Sequence, residues 1–218
     1  MNKYFTYWQE EIKKEDVLRW LGNPEAEYKT YTIDYLEEKK YSSLIDCGAG
    51  VFTLHDSLKK RRLEIKYVAT EVTKNFVELG IEKGIEAIHC PVQDITVSDN
   101  YCEVSVCLAV LNHQLEFETC MKELIRIAEK EIIISFFKPF IEEKRAWIEI
   151  QNCIDKFPIV SNNPNIGVTI ERNEKFVYTF FSRKAIEKFL NTLNVKYFFH
   201  TLEDRTEMLH IIKDWRDK

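Results

Sequence analysis

The residues best suited to chemistry in this chain are two carboxylates, each closing a short apolar run. Ser42-Ser43-Leu44-Ile45-Asp46-Cys47-Gly48-Ala49-Gly50 reads as a buried strand that stops on an acid and enters a glycine turn. Tyr67-Val68-Ala69-Thr70-Glu71 repeats the design. Two strands that deliver acids to one sheet edge, with glycines between them, suit a nucleoside, because ligands of open parallel sheets sit beyond the carboxyl ends where strand order reverses. Gly48 and Gly50 project no side chain, so the backbone can approach a ligand closely. Glu71 can accept hydrogen bonds from the two hydroxyls of a ribose. A dinucleotide loop asks for Gly-x-Gly-x-x-Gly; its third glycine falls on Thr53 here, and Asp46 would set a negative charge beside any phosphate. An ammonium group would welcome that charge. The loop points away from a pyrophosphate.

These acids need a sheet to hold them, and the pattern after residue 43 supplies one. Short apolar runs alternate with helical stretches, which argues for a doubly wound, mostly parallel α/β sheet. Strands are expected at 43–47, 65–70, 87–90, 104–108 and 131–136. Helices are expected over about 52–62, from a Thr73 cap to near Gly84, and along the stripe Phe117, Cys120, Met121, Leu124, Ile125 and Ala128. Lys59-Lys60-Arg61-Arg62 reads as a helix end whose cations face the negative pole of the dipole. Ser182 should cap a helix carrying Ile186, Phe189, Leu190 and Leu193. Strands at 195–199 and 207–212, joined by the short Glu203-Asp204-Arg205, must be antiparallel, since a parallel return needs a dozen or more residues. The sheet then has seven strands. Ahead of it, residues 1–41 read as a helical cap, with Tyr4, Tyr7, Trp8, Val17, Trp20 and Leu21 at helical spacing before the Gly22-Asn23-Pro24 break. Tyr28, Tyr31, Tyr35 and Leu36 form the expected buried side of its second helix. Residues 137–178, including the turn-rich Ser161 to Asn165, do not fit the alternation and read as an insertion within the domain at 42–218.

Composition narrows the function classes. A net charge of −5 argues against a nucleic-acid footprint, which needs a basic face, with Lys59-Lys60-Arg61-Arg62 the one local exception. No apolar run approaches the roughly 20 residues of a membrane span, and the N-terminus lacks a signal-peptide core, so a cytoplasmic protein is expected. The six cysteines form no Cys-x-x-Cys pair, which fits buried free thiols in a reducing compartment and no metal site.

Residues 42–136 resemble the core of class I S-adenosylmethionine-dependent methyltransferases. The family's Asp/Glu-x-Gly-x-Gly is matched by Asp46-Cys47-Gly48-Ala49-Gly50, its acid after the second strand by Glu71, and its polar residue after the third by Asp94 with Gln93 beside it. Val110-Leu111-Asn112-His113 matches the Val-Leu-x-His that often follows the fourth strand, and Tyr178-Thr179-Phe180-Phe181-Ser182 with the closing antiparallel pair is similar as well. The chain departs from the family at Cys102-Glu103, where Phe-Asp is usual, and at Phe52, where a third glycine is common. It also lacks an Asn/Asp-Pro-Pro-Tyr segment, which disfavours amino methylation of bases or glutamine. The resemblance implies S-adenosylmethionine as cofactor and S-adenosylhomocysteine as product. It implies that Asp46, Gly48 and Gly50 hold the methionine end, Glu71 the ribose, and Gln93 and Asp94 the adenine, with Leu108 to Leu111 along the methionine arm.

Methyl transfer from a sulfonium is an in-line displacement helped by alignment and, for a hydroxyl acceptor, by a base within hydrogen-bond reach. His113, just past the fourth strand, is the candidate base, with a pocket-shaping histidine as the alternative. The insertion, with its aromatics, Arg145 and Arg172, is placed to cover an acceptor. The reading is O-methylation of a hydroxyl on a small molecule or glycan. Protein or RNA acceptors, or a methyltransferase fold that only binds, are the competing readings, and the oligomeric state is open.

Overall fold

The structure, a computed structural model, describes residues 15–154, 156–163, 166–172 and 176–213. Tyr4, Tyr7 and Trp8 lie outside them, as do the side chains of Val17 and Trp20. Helices α1 (Glu15–Leu21) and α2 (Glu27–Lys39) precede β1 (Ser43–Cys47), α3 (Thr53–Lys60), β2 (Lys66–Glu71), α4 (Lys74–Glu82) and β3 (Glu86–His89). Then come β4 (Cys102–Leu108), a short 3-10 turn (Leu111–His113), α5 (Phe117–Ile127) and β5 (Ala128–Phe136). The chain continues through α6 (Lys144–Ile154), β6 (Ile159–Asn163), β7 (Gly167–Arg172), β8 (Phe176–Phe181), α7 (Arg183–Thr192), β9 (Lys196–Thr201) and β10 (Glu207–Ile212).

The main sheet has seven strands in the order β3-β2-β1-β4-β5-β10-β9. The chain winds outward from β1 through β2 and β3, then crosses back to β4 on the other side, so strand order reverses between β1 and β4. Pairings among β1 to β5 are parallel, while β10 runs antiparallel to both β5 and β9. The pleat sends alternate side chains to opposite faces. Leu44 and Ile133 meet Ile33 and Leu36 of α2 and Leu54 and Leu58 of α3. Ile45, Ile132 and Ile134 meet Met121 and Leu124 of α5 and Ile186 and Leu190 of α7. Helices therefore cover both faces, and the central strands present apolar residues to each. Among the described residues, no helix is long and apolar enough to cross a membrane.

Several expectations shift. Ala128 closes no helix: it pairs with Cys102 and opens β5, because a small, fully buried residue serves the sheet as well as a helix stripe. The buried side of α2 is Tyr28, Lys29, Thr32, Ile33 and Leu36, leaving Tyr31 and Tyr35 half-buried at its flank. Ser161 to Asn163 belong to strand β6 rather than to a turn, since pairing with β7 overrides local turn preference. Thr73 stands at the N-cap of α4 without a capping side-chain bond, whereas Ser182 accepts from the Ala185 amide at 3.1 Å. Lys59 and Lys60 do end α3, and Arg61 reaches Asp34 and Glu37 of α2. Residues 137–178 carry α6 and most of a three-stranded antiparallel sheet, β6-β7-β8, around a small core of Ala146, Ile150, Val168, Ile170 and Phe180.

Candidate active site

Where β1 and β4 diverge, a cavity opens at the carboxyl edge of the sheet. Its wall takes residues from the loops after β1, β2, β3 and β4 and from α2. The glycine turn forms its floor. Gly48 (φ +80°) donates its amide to the Thr70 carbonyl at 2.8 Å, and a Cβ there would stand 2.5 Å from Val110 Cγ2. Gly50 (φ +57°) donates to Glu71 Oε2 at 2.9 Å. Glu71 Oε1 accepts from the Thr73 amide, also at 2.9 Å. Buried Glu71 thus ties the glycine turn to the end of β2 while facing the cavity. Each of its oxygens has a second acceptor position for a hydroxyl. Burial raises its pKa, opposed by those backbone donors.

Asp46 is buried, and its Oδ2 accepts the Tyr67 hydroxyl at 2.5 Å. Burial pushes its carboxyl up to about 6, against the pull of Tyr67 and of Lys29. Lys29 is the residue that the sequence reading missed. It is 7% exposed and lines the same cavity. A faint signal was present: a lysine at helical spacing with Thr32, Ile33 and Leu36, within the buried stripe.

The expected residues divide. Asp46, Gly48, Gly50, Glu71, Leu108 and His113 all line the cavity. Gln93 and Asp94 do not; Cys90, Pro91 and Val92 form that wall, and a turn closed by the Asp94 amide on the Pro91 carbonyl carries the next residues past it. Phe52 turns its ring into the protein against Ala69 and Ile85, leaving Thr53 to face the cavity. Arg145 binds Glu143 and the Arg205 carbonyl, away from the wall, and the Arg172 side chain lies outside the described residues.

His113 sits where the 3-10 turn after β4 meets β8. Its Nδ1 donates to the Val177 carbonyl at 2.9 Å, and the rings of Phe137, Phe176 and Tyr178 lie within 5.4 Å, centre to centre. Burial lowers its pKa to about 4; the Val177 carbonyl opposes the shift and nearby Lys138 adds to it. The imidazole is neutral at physiological pH.

These residues fit S-adenosylmethionine. The glycine cradle has no room for a Cβ, Glu71 keeps acceptor capacity toward a ribose, and Asp46 offers a carboxylate to an ammonium. Bound there, the cofactor would supply an electrophilic methyl group.

Comparison with known proteins agrees. Residues 45–136 match the model of a methyltransferase domain family. No curated protein sequence matches the chain. Among solved structures, magnesium protoporphyrin IX methyltransferase from Synechocystis PCC 6803 with bound S-adenosylhomocysteine is similar, with a TM-score of 0.68 at 13% identity over 96% of this chain and 97% of that one. A SAM-dependent methyltransferase from Thermotoga maritima gives 0.65 at 10% identity over 96% and 100%. The 1,6-didemethyltoxoflavin-N1-methyltransferase of Burkholderia thailandensis gives 0.63 at 12% identity over 96% and 85%. With its acids, glycine turn and strand order in place, residues 45–136 resemble a methyltransferase domain, and the chain shares the fold of these methyltransferase structures.

Proposed function

We propose that the chain moves the methyl group of S-adenosylmethionine onto a hydroxyl oxygen of a small molecule or glycan, with His113 as the base. The acceptor oxygen attacks the methyl carbon, the carbon–sulfur electron pair returns to sulfur, and the hydroxyl proton passes to His113 Nε2. The observation carrying this reading is the bond from Nδ1 to the Val177 carbonyl. A carbonyl only accepts, so the ring proton sits on Nδ1 and Nε2 is the accepting nitrogen. A base of such low pKa takes the proton only as the hydroxyl acidifies during transfer, which suits concerted displacement.

In this reading residues 137–178 cover the acceptor, and the N-terminal segment contributes Leu21, Tyr28 and Lys29 to the cavity wall. Support comes from β8, which the Asn112 Nδ2–Thr179 carbonyl bond (2.8 Å) and the His113–Val177 bond hold against the 3-10 turn. Six unpaired cysteines suit a cytoplasmic protein. The test is transfer of a labelled methyl group onto extracts fractionated into metabolites, glycans, protein and RNA. Alkali-stable label in metabolites or glycans is expected. Label in protein or RNA, or label released as methanol by alkali, overturns the hydroxyl reading.

A further inference from the structure

We propose that the methyl acceptor lies in a second groove, between the residues that follow β4 and the β6-β7-β8 sheet, and that it is an uncharged polyhydroxy molecule, a neutral sugar or polyol. The proposal rests on the methyl-transfer reading above and names the substrate class within it.

Each strand of that sheet sets one hydroxyl in a row. Ser161 pairs with Thr169, and Thr169 with Thr179, so the three side chains leave the same face. The opposite face packs Val168, Ile170 and Phe180 against Ala146 and Ile150 of α6. Thr169 and Thr179 are buried, and their hydroxyls bond to each other at 3.1 Å. That bond takes one proton and one lone pair, so both oxygens keep acceptor positions for a ligand. The row and Gln114 line a groove of about 350 Å³, the size of a small-molecule site. Leu115, Val160 and Ile166 supply its apolar surface.

Among the described residues, none that lines the groove is charged. Charged residues make up 31% of the chain, yet Phe157 to Ile170 holds no Asp, Glu, Lys or Arg. Strand β6 is an edge strand with Ile159 and Val160 exposed, the setting in which charges ordinarily guard against edge-to-edge pairing. Their absence leaves an ionic acceptor with no counter-charge in the wall, and burying a charge so costs far more than burying a hydroxyl that finds hydrogen bonds. Gln114 joins the groove to the cofactor cavity. It lines both, and among the described residues no hydrogen bond engages its carboxamide. That amide can donate to one hydroxyl and accept from another, holding the acceptor beside His113, its neighbour in the chain.

Label transfer by the full chain tests the proposal. Metabolites and glycans are separated on ion exchangers into neutral, anionic and cationic pools, and each pool is offered with methyl-labelled S-adenosylmethionine. Methylating a hydroxyl leaves the charge of a molecule unchanged, so the product stays with its pool. Most of the alkali-stable label should fall in the neutral pool. Most of it in the anionic or cationic pool overturns the proposal and leaves the hydroxyl reading standing. Label only in protein or RNA, or in no fraction, overturns that reading and the proposal with it. Two variants then locate the acceptor, with the neutral pool as the probe. Ser161→Asp puts a charge into the groove, and Thr169→Val removes one hydroxyl of the row while keeping its shape. Each should slow transfer at limiting acceptor by about tenfold, the scale of a buried polar group left unpaired. Affinity for S-adenosylhomocysteine, read by calorimetry, should stay at the wild-type value. A wild-type rate in either variant, or a matching loss of S-adenosylhomocysteine affinity, overturns the proposal. Should one variant fail to fold, the other and the pool assignment decide.

Discussion

Phe52 holds φ at +66°, a left-handed conformation, while its ring is fully buried against Ala69 and Ile85. That backbone costs a non-glycine residue roughly 1–2 kcal/mol, and burying the ring offsets it by about 2–3 kcal/mol. The neighbourhood is shaped to the ring: a Cβ on Gly80 would stand 2.6 Å from it. Phe52→Ala should therefore lower the unfolding free energy by about 3–5 kcal/mol, read from urea titration. Its affinity for S-adenosylhomocysteine should change little, because the ring faces away from the cavity; a variant as stable as wild type would show that the ring adds nothing to the core. His113 gives a second prediction. Its pKa is about 4 in the folded chain and near 6.5 when unfolded. Below pH 6.5 the unfolded chain binds a proton that the native state refuses, so the stability of the neutral imidazole is present above about 6.5 and lost as pH falls toward 4. The shift is worth up to about 3 kcal/mol. The stability difference between wild type and His113→Gln should shrink by about that amount from pH 7 to pH 4. A constant difference across that range would contradict the buried neutral ring.

Helix α2 matters at the next scale, because it carries Lys29 at one end and a polar cluster along its flank. His210 donates Nδ1 to Glu131 at 2.6 Å, Tyr41 donates to the other Glu131 oxygen, and the Tyr31 hydroxyl lies 3.1 Å from His210 Nε2. Phe198 stacks on His210 at 4.5 Å, and Glu131 and His210 are both buried. The cluster links α2 and Tyr41, two residues beyond its end, to β5 and β10. Removing one member leaves a buried partner unsatisfied, at about 3–5 kcal/mol. His210→Ala should cost that much in urea unfolding, and hydrogen exchange should show α2 losing protection before β1 and β4; uniform loss would mean that the cluster does not hold the helix. None of this was legible in the sequence, because Glu131, His210 and Tyr31 meet only after the sheet forms. Local elements read better. The acid-and-glycine ending of β1, the stripe of α5 and the Ser182 cap are set by neighbours a few residues away. Asn162 and Asn163, by contrast, read as a turn and became strand because β7 lay beside them.

For the molecule as a whole, residues lining the cavity were legible where backbone geometry dictates residue type. Gly48, Gly50 and Glu71 could be named because a tight turn and a strand-end acid leave a local trace. Lys29 left a weaker trace, since it reaches the cavity from a helix outside the strand–turn pattern, and Gln93 and Asp94 stand just past the wall that Cys90, Pro91 and Val92 form. The fold brings Lys29 and Asp46 together as charges whose burial opposes ionisation until a ligand neutralises them. For Asp46 the sign is definite. Its pKa is raised to about 6 from 3.8, so its contribution to stability is full below pH 4 and lost as pH rises through 6. Asparagine there keeps an acceptor for Tyr67 and removes the charge. Asp46→Asn should stabilise the ligand-free chain at pH 8 by up to about 3 kcal/mol and leave it nearly unchanged at pH 4. The same substitution should weaken S-adenosylhomocysteine, because nothing then answers its ammonium, and shrink the rise in melting temperature on adding it. Wild-type affinity should fall below pH 6 as Asp46 takes up its proton, while the variant's affinity stays flat there. Thermal melts with and without ligand from pH 4 to 8 check both halves. A variant less stable than wild type at pH 8, or one that binds the ligand as tightly, would remove Asp46 as the ammonium partner.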